Sequence, residues 1–263
     1  MAIFDSHLHL TRLPQPLEVA RELHERGYRY RAIACEPWEW TAMRDLWEKA
    51  SSEGWMEGCG LSFGLHPEIA VQVTEESVAG GTKDLWTELR RLLEAFPEAQ
   101  VGEAGLDRRF AGYEPGGVQQ TVFRRQAKMA LEFGRDLQIH CVGDYGRIVA
   151  ILRDVGFTSV RADVKCAQSD AGVKQPRPVF HRFGGDAGIV KAGLSLGAIF
   201  SVHVDSLRKK ATREALALIP AEAMQFETDA DETFVTDANE TPQQVADRLV
   251  ETLSGVLNGP PSR

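Results

Sequence analysis

The chain has 263 residues, 43% of them hydrophobic, and carries 30 basic and 38 acidic side chains, for a formal net charge of −8. This acidic balance excludes coating of DNA by the whole surface, since that mode of binding needs a large basic footprint. No apolar run reaches the roughly 18 residues of a membrane span, so we expect no membrane association. The length suits one large domain, and we expect residues 1–263 to form it.

The N-terminus and the cysteines indicate the cellular compartment. The opening Met-Ala-Ile-Phe-Asp has no basic region followed by an apolar one, so no secretory signal is visible. The four cysteines are scattered and show no C-x-x-C spacing, which is typical of reduced thiols rather than of a disulfide framework. They are Cys35, Cys59, Cys141 and Cys166. We therefore predict a cytoplasmic protein.

Short apolar runs typical of strands alternate with amphipathic stretches typical of helices along the chain. The predicted strands begin near Ile3, Arg31, Cys59, Gln100, Leu137, Val179, Gly197 and Met224. The predicted helices lie near residues 17–23, 40–50, 85–96, 118–133, 147–155, 187–194, 207–219 and 242–257. Eight strands alternating with eight helices favour a (β/α)8 TIM barrel of the α/β class over an open doubly wound sheet.

One segment, residues 156–178, interrupts this alternation between the fifth and sixth strands. It includes a polar stretch around Gln175-Pro-Arg-Pro178, and we expect it to distort the barrel locally, with a strand of its own. Long connections at the mouth of a barrel often serve as substrate loops or lids. A substrate loop and an insertion without a function are both open interpretations of this segment.

Six potential metal ligands lie at or near the ends of predicted strands one, four, five, six and eight. They are His7, His9, Glu103, His140, His181 and Asp229. The loops that follow the strands of a parallel barrel gather at one end, so we expect these side chains to converge there. Side chains two apart on a strand point to the same face, so His7 and His9 project together. Imidazole nitrogens and carboxylate oxygens suit zinc, manganese or related divalent ions, and one bridging acid would complete a two-metal site.

The sequence around these residues resembles the TatD family, which are metal-dependent deoxyribonucleases of the amidohydrolase superfamily. The matching motifs are Asp5-Ser-His-Leu-His9, Gly64-Leu-His-Pro67, Gly102-Glu-Ala-Gly-Leu-Asp107, Ile139-His140, Phe180-His-Arg-Phe-Gly184 and Glu227-Thr-Asp229. They extend over nearly the whole chain, and Glu-x-Gly-Leu-Asp and Glu-Thr-Asp are the most specific among them. The resemblance implies a barrel with two divalent ions, which would be zinc, magnesium or manganese.

The same resemblance implies a role for each ligand. His7, His9 and Asp229 would hold one ion, His140 and His181 would hold the other, and Glu103 would bridge the two. Asp229 would also accept a proton from the attacking water, which makes Asp229 and Glu103 the expected catalytic residues. Asp5 shares a strand face with His7, so it either orients a histidine ring or is a buried polar residue at a strand end.

Further residues near the strand ends are candidates for substrate contacts. They are His66, Arg108, Arg109, Arg182 and His203. The planar guanidinium group suits bidentate phosphate binding, and solvated salt bridges are the alternative for the three arginines. His66 and His203 either face the substrate or make structural hydrogen bonds. Arg208-Lys209-Lys210 is interpreted as an ordinary charged face of the seventh helix.

We therefore predict a metal-dependent hydrolase that activates water to cleave phosphodiester bonds at DNA ends. The alternative is an amidohydrolase-type enzyme that cleaves a small lactone, cyclic amide or phosphoester. After Glu227-Thr-Asp229 this chain has Ala230-Asp231-Glu232, where the family usually has a small residue and then proline. Extra acid beside the site opposes a polyanion, which favours the alternative. A metal-binding scaffold without catalysis is the third hypothesis, and Asp229 argues against it because a structural site needs no proton acceptor.

Overall fold

A computed structural model describes residues 4–73, 84–158, 175–237 and 239–259. Eight parallel strands follow one another in chain order around a single sheet. The first and last strands meet, because Leu8 forms a parallel bridge with Ala230 and the His9 amide donates to the Ala230 carbonyl oxygen at 2.9 Å. The predicted (β/α)8 barrel of the α/β class is confirmed.

Strands and helices alternate throughout the described residues. The strands are β1 (Phe4–Leu8), β2 (Arg29–Ala34), β3 (Gly60–Phe63), β4 (Gln100–Asp107), β5 (Leu137–Val142), β6 (Pro178–Phe180), β7 (Ile199–Val202) and β8 (Met224–Phe226). The main helices are α1 (Pro16–Glu25), α2 (Pro37–Ser52), α3 (Leu85–Ala95), α4 (Val118–Phe133), α5 (Tyr145–Val155), α6 (Ala187–Leu194), α7 (Lys210–Leu216) and α8 (Pro242–Asn258). Ile3, where the first strand was predicted to begin, lies outside the described residues.

The pattern of burial explains why these segments form strands and helices. All four residues of β7 are buried, as expected for a parallel strand that is covered on both faces. In α3, Trp86, Leu89 and Leu93 are buried at helical spacing, and the Asp84 carboxylate caps the helix by accepting from the Trp86 amide at 3.1 Å. The helices therefore pack their apolar faces against a strand core.

A buried carboxyl group supports the contact between β1 and β8. Asp5 accepts hydrogen bonds from the Thr228 amide at 3.0 Å, the Tyr28 hydroxyl at 2.8 Å and the His7 amide at 3.2 Å. Burial raises the pKa of this carboxyl group to about 7. Asp5 thus holds the backbone at the seam, and the described contacts favour the buried polar interpretation over the orientation of a histidine ring.

The segment that was expected at the mouth of the barrel has its described ends at the opposite side. It follows α5 rather than β5, and the Arg177 carbonyl oxygen accepts from the Leu137 amide at 2.9 Å, at the start of β5. The Arg177 guanidinium also pairs with Asp136 at 2.9 Å. A connection from a helix to the next strand returns to the amino end of a barrel, so this expectation was wrong for the described ends. The extra strand predicted there would fall in residues 159–174, outside the described residues.

Two smaller expectations concern the membrane and the cysteines. None of the helices in the described part of the chain has both the length and the apolar character needed to cross a bilayer. Cys35, Cys59 and Cys141 are free thiols. Cys166 lies outside the described residues.

Candidate metal centre

The structure brings all six predicted ligands together at the carboxyl ends of the strands. Each comes from within a strand or from the one to three residues after it, and all six are largely buried. They are His7, His9, Glu103, His140, His181 and Asp229. A parallel barrel places these strand ends around one shared opening, which explains why residues so distant in sequence meet.

One group of ligand atoms lies beside β1. The Nε2 atoms of His7 and His9 are each 3.4 Å from Oε2 of Glu103, and 3.7 and 3.6 Å from Oδ1 of Asp229. A tetrahedral ion with bonds of about 2.0–2.2 Å has ligand atoms roughly 3.4 Å apart. His7 Nε2 is buried and finds no hydrogen-bond partner within the described part of the chain. These four atoms therefore have the spacing and the availability that one divalent ion requires.

A second group of atoms surrounds the other oxygen of the same carboxylate. Glu103 Oε1 is 2.5 Å from His140 Nδ1 and 2.7 Å from His181 Nε2, and these two nitrogens are 3.2 Å apart. The two oxygens of Glu103 thus face two different pairs of histidines. This is the arrangement in which one carboxylate can bridge two cations.

Three polar side chains orient the histidine rings from behind. His7 Nδ1 lies 3.4 Å from Gln138 Oε1, His140 Nε2 lies 2.9 Å from Asp107 Oδ2, and His181 Nδ1 lies 3.5 Å from Glu227 Oε1. Such partners fix the ring and its tautomer and make the opposite nitrogen a better ligand.

Sequence analysis missed the contacts that all three partners make with the histidine rings. Gln138 lies two residues before His140 in β5, on the same face of the strand, and Glu227 lies two residues before Asp229. The period-two alternation of β5 could have identified Gln138, whereas Glu227 and Asp229 lie after β8, where this alternation does not apply.

Opposite charges set the ionisation of the cluster. Burial opposes ionisation of Glu103, but the neighbouring charges on His181 and His140 outweigh it and lower the pKa of Glu103 well below its ordinary value of 4.5. Burial lowers the pKa of His9 and of His181, but the nearby carboxylates raise both pKa values well above 6.5. The carboxylates are therefore ready ligands, whereas these two imidazoles hold protons that a bound metal has to displace.

A cysteine adds a sulfur donor that sequence analysis treated only as a reduced thiol. Cys35 directly follows β2, and its sulfur lies within 4.8 Å of ligand atoms of His9 and Glu103. Burial and the neighbouring Glu39 raise the pKa of this thiol, while a hydrogen bond with His9 opposes the rise. Arg12 Nη2 also donates to the sulfur at 3.6 Å. Cys35 lies at a strand end, as the six predicted ligands do, and this position could have identified it as a further candidate ligand.

The histidine candidates for substrate contacts occupy different places. His66 lies in the cluster, with Nε2 3.8 Å from Glu103 Oε1, and burial together with the neighbouring His140 lowers its pKa to about 3. His66 is therefore a neutral ring facing the ligands. His203 accepts a hydrogen bond from the Asp205 amide at 3.1 Å and caps a short 3-10 helix. This contact favours the structural interpretation of His203.

The three arginine candidates also differ from one another. Arg109 pairs with Asp107 at 2.5 Å, and Arg182 pairs with Oδ2 of Asp229 at 2.8 Å and with Asp205. Both arginines thus make the salt bridges that the alternative interpretation predicted. Arg108 is exposed at the end of β4 and lines a cavity beside the cluster.

Backbone geometry explains two features of the motifs. A Cβ atom on Gly105 would lie 1.8 Å from the carbonyl oxygen of His140, so only glycine lets β4 approach β5 this closely. Asp229 and Arg182 have positive φ angles of 51° and 42°, which cost free energy in residues other than glycine. Asp229 belongs to the ligand cluster and Arg182 lies beside it, in the turns that follow β8 and β6.

The cluster opens into a cavity of about 440 Å³, which we call the metal cavity. Its walls carry five carboxylates, those of Glu68, Glu103, Asp229, Asp231 and Glu232. Three cationic side chains, those of Arg12, Arg109 and Arg182, face them. The carboxylates outnumber the arginines, and the protons on His9 and His181 balance the difference until a metal displaces them.

Comparison with known proteins gives consistent results. The model of the family described as TatD related DNase matches residues 4–258. A protein from Edwardsiella piscicida named 3'-5' ssDNA/RNA exonuclease TatD is 28% identical over 196 residues, which are 73% of this chain and 65% of the relative. Its namesake from Erwinia amylovora is 30% identical over 178 residues, which are 65% of this chain and 58% of the relative. The matches thus span less than two thirds of the length of these relatives.

Two solved structures share the fold. A TatD family hydrolase from Entamoeba histolytica superposes with a TM-score of 0.67 at 15% identity, covering 93% of this chain and 83% of that chain. A TatD homologue from Escherichia coli K12 superposes with a TM-score of 0.66 at 21% identity, covering 96% and 89%. At these identities the similarity establishes the barrel and not the activity.

Proposed function

The chain belongs to the TatD-related DNase family, and we propose that it is a metal-dependent phosphodiesterase acting at the ends of DNA strands. The observation that carries this proposal is the position of Glu103, whose two carboxylate oxygens face separate pairs of histidines. Two cations a few ångströms apart suit the in-line displacement at a phosphodiester, because they can stabilise both the attacking and the leaving oxygen. The names of the curated relatives support a nucleic acid substrate.

We propose that His7, His9 and Asp229 hold one divalent ion, that His140 and His181 hold the other, and that Glu103 bridges them. The nitrogen and oxygen donors, together with the sulfur of Cys35, favour zinc or manganese over magnesium. When bound, such ions supply Lewis acidity at neutral pH.

The remaining chemistry belongs to the side chains. Asp229 is the proposed acceptor of the proton from the attacking water. Burial opposes its ionisation, but His181, His9 and His7 lower its pKa below the usual range, so the group is a carboxylate at neutral pH. Arg182 binds Oδ2 of Asp229 at 2.8 Å and so orients the carboxylate. His66 is neutral and faces Glu103, in a position to donate a hydrogen bond to the substrate.

Two coarser proposals accompany this one. We propose that residues 1–263 form a single catalytic domain, which the continuous barrel between residues 4 and 259 supports. We also propose a cytoplasmic location, which is supported by the free thiols of Cys35, Cys59 and Cys141.

The first test is digestion of single-stranded DNA labelled at either end. Protein treated with chelator and reloaded with zinc, manganese or magnesium should shorten the DNA stepwise from one end, and the chelator should stop the reaction. Asp229→Asn should lower kcat by at least about 100-fold, the usual contribution of a positioned proton acceptor, while retaining more of its metal than of its activity. Asp231→Asn, at the rim of the same cavity, is the matched control. Near-normal kcat in metal-loaded Asp229→Asn would contradict the role of Asp229.

The excess of carboxylates in the metal cavity favours one alternative, a hydrolase of small uncharged lactones, cyclic amides or esters. The same preparations should therefore be tested on a panel of chromogenic esters and lactones. Rapid hydrolysis of these compounds, with no cleavage of DNA under any metal, would replace the nuclease proposal by this alternative.

A further inference from the structure

A second cavity, of about 490 Å³, opens beside the metal cavity, and we call it the side cavity. It lies over the carboxyl ends of β5, β6 and β7 and shares the walls formed by His140, His181 and Arg182 with the metal cavity. Its other walls include Arg108, Tyr145, Gly184, Asp205, Arg208 and Lys209. One substrate molecule could therefore extend from the predicted metal ligands into the side cavity.

The side cavity is more basic than the metal cavity. Its lining has four cationic side chains and a single carboxylate, that of Asp205. Asp205 is already engaged by Arg182 and, at 2.9 Å, by Arg208. Neither Arg108 nor Lys209 forms an ion pair with a carboxylate of the described residues, so both can serve an anionic ligand.

This lining also corrects the interpretation of Arg208-Lys209-Lys210 as an ordinary charged helix face. Arg208 and Lys209 precede α7 and line the side cavity. Lys210 is different, because it lies 3.8 Å from Glu214 on the exposed side of α7 and is absent from the lining. Sequence position alone could not separate these neighbours, since the turn before α7 decides which of them faces the cavity.

We propose that the side cavity binds the penultimate nucleotide of a single strand through the phosphate that follows the scissile one, with Arg108, Arg208 and Lys209 as its contacts. This inference rests on the proposed nuclease function and adds the side of the metal centre on which the strand continues. The volume is within the range of about 300–1,000 Å³ of pockets that enclose a small molecule, which suits one nucleotide. Guanidinium and ammonium groups are the usual partners of phosphate.

The opposite rim explains why a strand would end there. Glu68, Asp231 and Glu232 line the metal cavity but not the side cavity. A further phosphate on that side would approach carboxylates, whereas a phosphate on the other side approaches cations. The strand therefore extends through the side cavity, and its terminal nucleotide lies at the acidic rim.

The test compares three thymidine dimers, TpT, pTpT and TpTp, which share one scissile bond and differ in the extra phosphate. The parent enzyme should cleave one of the two phosphorylated dimers with a kcat/KM at least about tenfold above that of TpT, as expected for one charge-assisted phosphate contact. Lys209→Ala should remove most of this preference and leave the kcat/KM for TpT and for bis(p-nitrophenyl) phosphate unchanged. Lys210→Ala, the adjacent lysine outside the cavity, should behave like the parent.

The outcomes separate the two proposals. Equal rates on the three dimers in the parent, or equal effects of Lys209→Ala and Lys210→Ala, would overturn the side-cavity proposal while leaving the nuclease intact. If the parent cleaves no phosphodiester, the nuclease proposal fails, and calorimetric titration with pTpT and TpTp decides the binding question. A loss of affinity of about tenfold in Lys209→Ala but not in Lys210→Ala would then support the side cavity as a phosphate site, and equal affinities would overturn it.

Discussion

Glu103 is the side chain that joins the two halves of the candidate metal centre. Replacing it with glutamine keeps its size but removes the charge, and a neutral amide bridges two cations poorly. We expect Glu103→Gln to weaken metal binding at both positions by more than about tenfold, since even partners behind the ligands contribute that much. Elemental analysis after dialysis against limiting zinc measures this effect, with Glu68→Gln at the cavity rim as control. Full metal content in Glu103→Gln would remove the bridging role.

The protons on His9 and His181 predict how metal binding depends on pH. Both pKa values lie well above 6.5 because of neighbouring carboxylates, so near neutral pH the rings are protonated before metal binds. A metal has to displace these protons. Affinity should therefore rise with pH and level off once the pH exceeds the raised pKa values, and activity should fall in acid. Calorimetric titrations of zinc at pH 7, in two buffers with different ionisation enthalpies, count the released protons. Identical enthalpies in both buffers would mean that none is released.

Cys35 predicts the preference between metals. Sulfur is a softer ligand than oxygen and favours zinc over manganese. Cys35→Ser should therefore lower the affinity for zinc more than the affinity for manganese, as measured by competition with a chromogenic chelator. Cys141→Ser, a partly buried thiol at the end of β5, is the matched control. An unchanged ratio of the two affinities would show that the sulfur is not a ligand.

At the scale of single residues, residue type and motif were enough to predict which side chains form the candidate metal centre. The six ligands are histidines and acids at strand ends, and all six meet. The contacts made by Gln138, Glu227 and Cys35 were missed because their residue types occur in many other settings. Arg182 was predicted to bind substrate, but its pairing with Asp229 depends on strands that are distant in sequence.

At the scale of strands, the close approach of β4 to β5 makes a quantitative prediction. Gly105→Ala would place a Cβ atom 1.8 Å from the His140 carbonyl oxygen, so the two strands have to separate. We expect a loss of about 1–3 kcal/mol in the free energy of unfolding, the usual cost of overpacking, together with weaker metal binding. Urea denaturation measures the first effect.

A second glycine provides the control. Gly255 lies in α8, and a Cβ atom there would meet nothing within 4 Å. Gly255→Ala should therefore stabilise the protein by about 0.5–1 kcal/mol through helix propensity. Equal changes in the two variants would show that the contact with His140 has no cost.

The spacing of apolar residues in the sequence predicted the strands and helices well, because the side chains that are buried in each element recur at that same spacing. The described ends of the segment at residues 156–178 lie at the other end of the barrel from the one expected, because the length of a connection does not indicate at which end it lies. It follows a helix, and order along the chain determines which end of a parallel barrel a connection reaches.

At the scale of the whole molecule, the acidic surface should slow the approach of DNA. The double variant Asp231→Asn and Glu232→Gln removes two negative charges beside the metal cavity, and we expect kcat/KM for DNA to rise several-fold at low salt. The gain should shrink at high salt because screening weakens the repulsion.

The control for this effect changes the same net charge elsewhere. Glu53→Gln with Glu57→Gln also removes two exposed carboxylates, but these lie after α2, near the amino end of β3. This control double variant should produce a much smaller gain in kcat/KM for DNA. Equal gains in the two double variants would assign the effect to net charge rather than to the rim of the cavity.

The seam between β1 and β8 has a consequence for the synthesis of the protein. His7 and His9 lie in or beside the first strand, while Asp229 follows the last, and the Asp229 amide donates to the His7 carbonyl oxygen at 3.0 Å. A ribosome-bound chain that has not yet released β8 lacks both this hydrogen bond and the Asp229 ligand. Under the proposed nuclease function, a growing chain therefore lacks the proton acceptor for phosphodiester cleavage until Asp229 has left the ribosome.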